Sequence, residues 1–146
     1  MGRAGRAGWA GKAESVTTVD WVLASVVLIH LAISIVHGQA HAGAAIPLPL
    51  AAMLFVYIVI LAGPLVGLAV TRWRPAASAW IVAASFGGAL VFGLINHFVI
   101  AGPDHVDHVA ASWRPLFRAT ALLLVAAEAA GVAIGVRSAL RQSVRG

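Results

Sequence analysis

Four long apolar stretches constrain the fold of this chain more than any other feature of its sequence. They cover residues 19–36, 50–70, 76–100 and 116–136, and a helix needs about 20 such residues to cross a bilayer. Charged residues make up only 10% of the chain, against 61% hydrophobic residues, and so few charges cannot cover the surface of a small soluble domain. The sequence therefore predicts an all-α polytopic membrane protein, a compact four-transmembrane-helix bundle in a lipid bilayer.

The basic residues are distributed unevenly between these stretches. Eight lie in the two tails and in the second connection, and only Arg114 and Arg118 lie on the other side. Because basic residues are retained on the cytoplasmic side, the pattern predicts cytoplasmic termini and a multi-pass protein of the inner (plasma) membrane. Residues 1–15 are predicted to be a flexible basic tail, residues 16–137 a single membrane domain, and residues 138–146 a second basic tail. Such short, separated clusters do not predict a nucleic-acid partner.

Local signals predict where these helices begin, bend and pack. The capping-box spacing from Thr17 to Asp20 predicts a helix start, and Gly38 is a possible end of the same helix. Gly63-Pro64 predicts a kink in the second span. Small residues at four-residue spacing predict close helix packing in lipid. These are Ala83 with Gly87, Ala84 with Gly88, and Ala127, Gly131 and Gly135.

Histidines and aspartates are concentrated at one end of the predicted bundle, the extracytoplasmic end. Imidazole nitrogens bind Zn, Cu(II), Ni and Fe, and carboxylates can complete the coordination or orient a histidine. If the first helix continues past Gly38, His37 and His41 share one face, and His97 ends its span at about the same depth. The sequence therefore predicts a transition-metal site at this end. Its candidate ligands are His37, His41, His97, His105, His108, Asp104 and Asp107.

The ligand types that the sequence lacks narrow the choice of metal ion. The chain has no cysteine and only two methionines, which argues against soft Cu(I). Two outer aspartates are few for Mg or Ca.

Arg114 or Arg118 can pair with Asp104 or Asp107, and such pairing would make these carboxylates less available as ligands.

Two ionisable residues lie deeper in the spans. Glu128 is expected near the middle of the membrane, and His30 lies on the same face of the first helix as His37, about two turns further in. An ionisable group at that depth is a functional-site hypothesis by default, so His30 and Glu128 are predicted to form an intramembrane polar path. The alternative is a protonated Glu128 that is hydrogen-bonded to a serine or to a backbone carbonyl.

The sequence leaves several functions open. The first is divalent transition-metal capture, transport or redox chemistry at the histidine end. The second is electron transfer through haem b, since a bundle with inward histidines is similar in outline to membrane cytochromes b, with His37 and His97 as axial ligands. The third is a non-catalytic accessory subunit of a larger membrane complex or homo-oligomer. The Asp-His pairs at 104–105 and 107–108 also resemble motifs of nickel and cobalt permeases, but with different spacing, so no family is assigned. Whether the chain is an enzyme stays open.

Overall fold

The computed structural model describes the backbone of residues 7–144 and the side chains of residues 21–144. Within these residues all regular structure is helical. The elements are α1 (Ala7–Gly43), α2 (Leu50–Phe55), a first π-helical segment (Val56–Ala62), α3 (Gly63–Val70), α4 (Pro75–Leu94), a second π-helical segment (Ile95–Val99) and α5 (Arg114–Ser143). Most of the basic residues of the two predicted tails, including Arg3, Arg6, Lys12 and Arg145, lie outside the part whose side chains are described.

Four helices in the described part of the chain are long and apolar enough to cross a membrane. They are Trp21–Gly43, Leu50–Val70, Pro75–Val99 and Arg114–Ser143, here called spans 1 to 4. They overlap the four predicted stretches, so the prediction of an all-helical chain with four apolar helices of membrane-spanning length is confirmed. Span 4 continues beyond its predicted end at residue 136, because helix-forming Ala, Arg and Gln residues follow.

The start predicted for α1 at Thr17 is wrong, and of the two possibilities at its other end the helix continues past Gly38. The helix begins at Ala7, upstream of Thr17, because the intervening alanine, lysine and glutamate residues favour helix. It also passes through Gly38 and ends in a Schellman motif, in which the Ile46 N–H donates to the His41 carbonyl at 3.1 Å. Ala45 takes the left-handed conformation of this motif, with φ 53°. The longer helix keeps His41 on α1, one turn beyond His37.

Spans 2 and 3 each contain a π-helical segment. In span 2 the Gly63 N–H donates to the Ile58 carbonyl five residues back, directly before Pro64, so helix geometry changes at the predicted position. In span 3 the Ile100 N–H donates to the Ile95 carbonyl at 2.8 Å. A π turn inserts one extra residue into the helix and rotates the side chains that follow it, and such turns are frequent at functional sites. The second π-helical segment contains His97.

Small residues let α4 and α5 approach closely, as predicted for Gly131 and Gly135. A Cβ atom built on Gly135 would lie 2.9 Å from the Ala83 Cβ, and one on Gly131 would overlap the Phe86 ring. Phe86 is fully buried and packs in one core cluster with Leu23, Val27 and Val82. α4 and α5 are therefore closely packed against each other, and span 1 packs against this pair.

We expect Gly131→Leu to destabilise this packing. The new side chain must displace Phe86, and overpacking of a filled core costs about 1–3 kcal/mol. Unfolding in mixed micelles, followed by circular dichroism, measures the change. Gly102→Leu is the matched control, since a Cβ atom at Gly102 meets nothing within 4 Å. Equal stability of the two variants would show that α4 and α5 do not pack through Gly131.

Candidate metal centre

Three histidines from two helices meet at one end of the bundle. α1 contributes His37 and His41 from successive turns, and the second π-helical segment contributes His97. One nitrogen from each of the three lies within 4.8 Å of the other two. Among the residues whose side chains are described, these three histidines form the group of potential ligands that lie close enough together to bind one ion. We call these residues the histidine cluster.

Two of the three separations between the ring nitrogens match those around a tetrahedral ion. The Nε2 atoms of His37 and His97 are 3.3 Å apart, and those of His37 and His41 are 3.2 Å apart. Two ligands on a tetrahedral zinc ion, each with a metal–nitrogen bond of 2.0–2.1 Å, are separated by about 3.3 Å. His37 is therefore at the spacing that a common ion requires from each of its two neighbours, and the nitrogens of His41 and His97 lie within 4.8 Å of each other.

The position of the proton on His37 follows from its contact with Thr120. The Nδ1 atom of His37 lies 2.8 Å from Thr120 Oγ1. That hydroxyl donates its own hydrogen to the carbonyls of Leu116 and Phe117, at 2.8 and 3.0 Å. The Thr120 oxygen must then accept from His37, so Nδ1 carries the proton and Nε2 presents a lone pair.

His97 has the same tautomer for a similar reason. Its Nδ1 atom lies 3.1 Å from the backbone carbonyl of Asp104 and 3.3 Å from the Oδ1 atom of the same residue. The carbonyl oxygen is an acceptor, so Nδ1 carries the proton and Nε2 is free. The Nε2 lone pairs of His37 and His97 consequently face each other at 3.3 Å. Two lone pairs at that distance repel unless a cation lies between them.

Asp104 lies beside the cluster rather than inside it. Its Oδ1 atom is 3.3 Å from His41 Nε2, yet that oxygen and His41 Nδ1 are both buried and make no hydrogen bond with the described residues. The backbone carbonyl of Asp104 orients His97, and its carboxylate would offset the charge of a bound cation. With three imidazoles as ligands, a tetrahedral ion retains one open position.

Phe117 and the outer loop enclose the cluster. The Phe117 ring is fully buried, and its centroid lies 4.7–5.1 Å from those of all three imidazoles. Phe117 also packs with Ala40, Val106 and Val109, and the Val106 N–H donates to the His97 carbonyl at 3.0 Å. The loop that follows span 3 is thereby fixed over the site, which keeps the imidazoles in place and limits the access of water.

The other predicted ligands of the outer loop make separate contacts. His105 and His108 stack with ring centroids 5.2 Å apart, and His105 Nδ1 lies 3.9 Å from Asp107 Oδ2. His108 Nδ1 lies 2.8 Å from the Gly102 carbonyl. The structure thus brings His37, His41, His97 and Asp104 together, whereas ligation by His105, Asp107 and His108 stays a prediction. Of the two arginines expected to be able to pair with an aspartate, Arg114 donates a hydrogen bond to the Val109 carbonyl at 3.1 Å.

His30 and Glu128 form a buried pair deeper in the bundle. His30 Nε2 lies 3.2 Å from Glu128 Oε1, and the two side chains are 2% and 4% exposed. The His30 ring also packs edge-on against Phe86, at 4.7 Å between centroids. The two residues predicted to form a polar path are therefore in direct contact, while conduction along such a path stays a prediction.

Sequence reasoning missed Thr120 and the second π-helical segment. Thr120 is an isolated hydroxyl residue about a turn and a half into span 4, at the depth of His37, and this position could have identified it as a partner of that histidine. The π turn has no reliable sequence signal.

Comparisons with protein-family profiles, with curated proteins and with solved structures found no match to this chain. The geometry of the site is therefore the evidence on which a function can be argued.

Proposed function

We propose that this chain is an integral membrane metalloprotein that binds one divalent transition-metal ion through His37, His41 and His97. The observation that carries the proposal is the 3.3 Å separation between the buried Nε2 atoms of His37 and His97, both of which present a lone pair in the tautomers assigned above. Their Nδ1 protons are held by Thr120 and by the Asp104 carbonyl, as hydrogen-bond acceptors beside the ligands hold them in known metal sites. Three imidazoles favour Zn, Cu(II), Ni or Fe.

The proposal places this centre at the extracytoplasmic face. Eight of the ten basic residues lie in the segments at the opposite end of the spans, and basic residues are retained in the cytoplasm. The ion would then lie near the outer side of an inner (plasma) membrane, beneath the loop that follows span 3. A buried ion with three protein ligands and an open position supports chemistry on a bound molecule, because catalytic sites keep such a position while structural sites are closed.

A single ion fits the cluster better than haem b does. Axial histidines on opposite sides of an iron stand about two metal–nitrogen bonds apart, roughly 4 Å, with the macrocycle between them. His37 and His97 are closer than this, and His41 Nε2 lies 3.2 Å from His37 Nε2. The third imidazole therefore occupies the region beside the ligand pair where a macrocycle would extend.

Metal analysis of the purified protein tests the proposal. We expect one ion per chain after loading with Zn(II) or Co(II) in the micromolar range, and X-ray absorption should show three nitrogen ligands at about 2.0–2.1 Å. The double variant His105→Ala/His108→Ala is the control for the loop histidines, and it should retain the full metal content. Protein that retains no ion after loading would refute the metal centre.

A further inference from the structure

A large cavity lies between spans 1 and 2 at the histidine end of the bundle, and residues of spans 3 and 4, among them Phe92 and Leu124, also line it. Its volume is about 520 Å³, within the range of about 300–1,000 Å³ that is usual for small-molecule sites. The wall from α1 extends from Ser34 to His41, which corresponds to about 10 Å of helix. The facing wall is apolar and includes Met53, Tyr57 and Ile60 of span 2.

The cavity exists because the two spans are held together at only one end. Span 1 contacts span 2 through α3, whereas the first half of span 2 faces it across the cavity. Ile35 and Tyr57 are cavity-lining residues that are each 59% exposed. A Cβ atom at Gly38 would meet nothing within 4 Å. The cavity therefore opens sideways between two apolar helices, toward the hydrocarbon of a bilayer.

Polar groups converge at the two ends of this apolar space. The histidine cluster and Asp104 line one end, and Ser34 and Glu128 line the other. The Ser34 hydroxyl makes no hydrogen bond with any of the described residues. Glu128 Oε2 and His97 Cδ2 both lie within 4.0 Å of the point that a Cβ atom of Gly93 would occupy. The absence of a side chain at Gly93 therefore leaves the space between the two polar ends open.

We infer that this cavity binds a lipid-soluble small molecule of the alkylphenol or quinol class. Its apolar body would lie between spans 1 and 2, and its oxygen would point to the open position of the ion. The inference deepens the proposed function and rests on it for the contact with the metal. A lipid acyl chain would leave the open metal position without a partner, and unpartnered polar groups are costly in an apolar environment. A hydroxylated ring provides a polar group for that position and an apolar remainder for the space between spans 1 and 2.

Binding of a fluorinated 4-alkylphenol to the full-length protein in nanodiscs tests this inference. We expect saturable binding by ¹⁹F NMR to the Zn(II)-loaded protein, and strong broadening of the signal when Co(II) replaces Zn(II). Gly38→Leu should weaken binding at least tenfold, because its side chain extends into the cavity opening. Gly102→Leu adds the same side chain at another open glycine, outside the cavity, and should bind as the wild type does.

The outcomes separate the cavity from the metal centre. Metal content is measured on each variant, and it should be the same in Gly38→Leu as in the wild type. Absence of saturable binding to metal-loaded protein, or equal binding by Gly38→Leu, would overturn the inference and leave the metal centre standing. Equally tight binding of the matching alkylbenzene without its hydroxyl would overturn the assignment to phenols and indicate an acyl-chain site. Phenol binding that depends on Gly38 in a protein that retains no ion would support the cavity and refute the metal centre.

Discussion

Replacing His37 and His97 together by alanine is expected to abolish metal binding. The two residues contribute the nitrogens that face each other at 3.3 Å, and only His41 of the cluster would remain. Loss of a residue that only hydrogen-bonds to a ligand costs about 10–100-fold in metal affinity, so the loss of two ligands should exceed that range. Elemental analysis of the purified variant should fall from one ion per chain to the background of a chelator-treated sample.

The control for this variant separates ligation from folding. Both side chains are buried, so their truncation also removes packing against Phe117. The variant His37→Gln/His97→Gln retains most of the side-chain volume and a hydrogen-bonding group, and it should remain folded while it loses the ion. Retention of one ion per chain in either double variant would show that the metal site lies elsewhere.

Thr120→Val is expected to weaken metal binding about 10–100-fold without removing a ligand. Valine has nearly the shape of threonine, but it cannot accept the proton on His37 Nδ1, which lies 2.8 Å from the hydroxyl oxygen. The His37 proton is then free to move to Nε2, where it blocks the metal. Competition of the protein with a fluorescent zinc chelator measures the change in affinity.

Thr120→Ser is the matched control, because it keeps the oxygen and removes only a methyl group. Its zinc affinity should lie within a few-fold of the wild-type value. Thermal unfolding of the metal-free proteins shows whether valine changes the bundle itself. Equal zinc affinity of the serine and valine variants would show that Thr120 does not orient His37.

The class of fold and the general position of the site could be predicted from the sequence. Apolar stretches of membrane-spanning length depend only on composition along the chain, and all four became helices in the structure. The clustering of histidines at the span ends placed His37, His41 and His97 at one end of the bundle. These predictions succeed because hydrophobicity and helix rise are local properties, which each segment carries with it.

The details of the site depend on contacts between segments that are distant in the sequence. His37 and Thr120 are 83 positions apart, and His30 and Glu128 are 98 positions apart. No periodicity within one helix indicates which face of another helix will meet it. The bundle decides these pairs, because the glycines of α5 set how closely it approaches α4, and the rotation of each helix follows from that packing.

What the sequence by itself determined was therefore the number of spans, their approximate limits and the end of the bundle that carries the histidines. Only the tertiary structure decided that α1 continues past Gly38 to keep His41 beside His37, and that His97, in the second π-helical segment, meets both. It also decided which protons the imidazoles carry, and that spans 1 and 2 separate to leave a cavity beside the cluster. The physical reason is that lone-pair direction and empty space are properties of several helices packed together, whereas apolar length is a property of one.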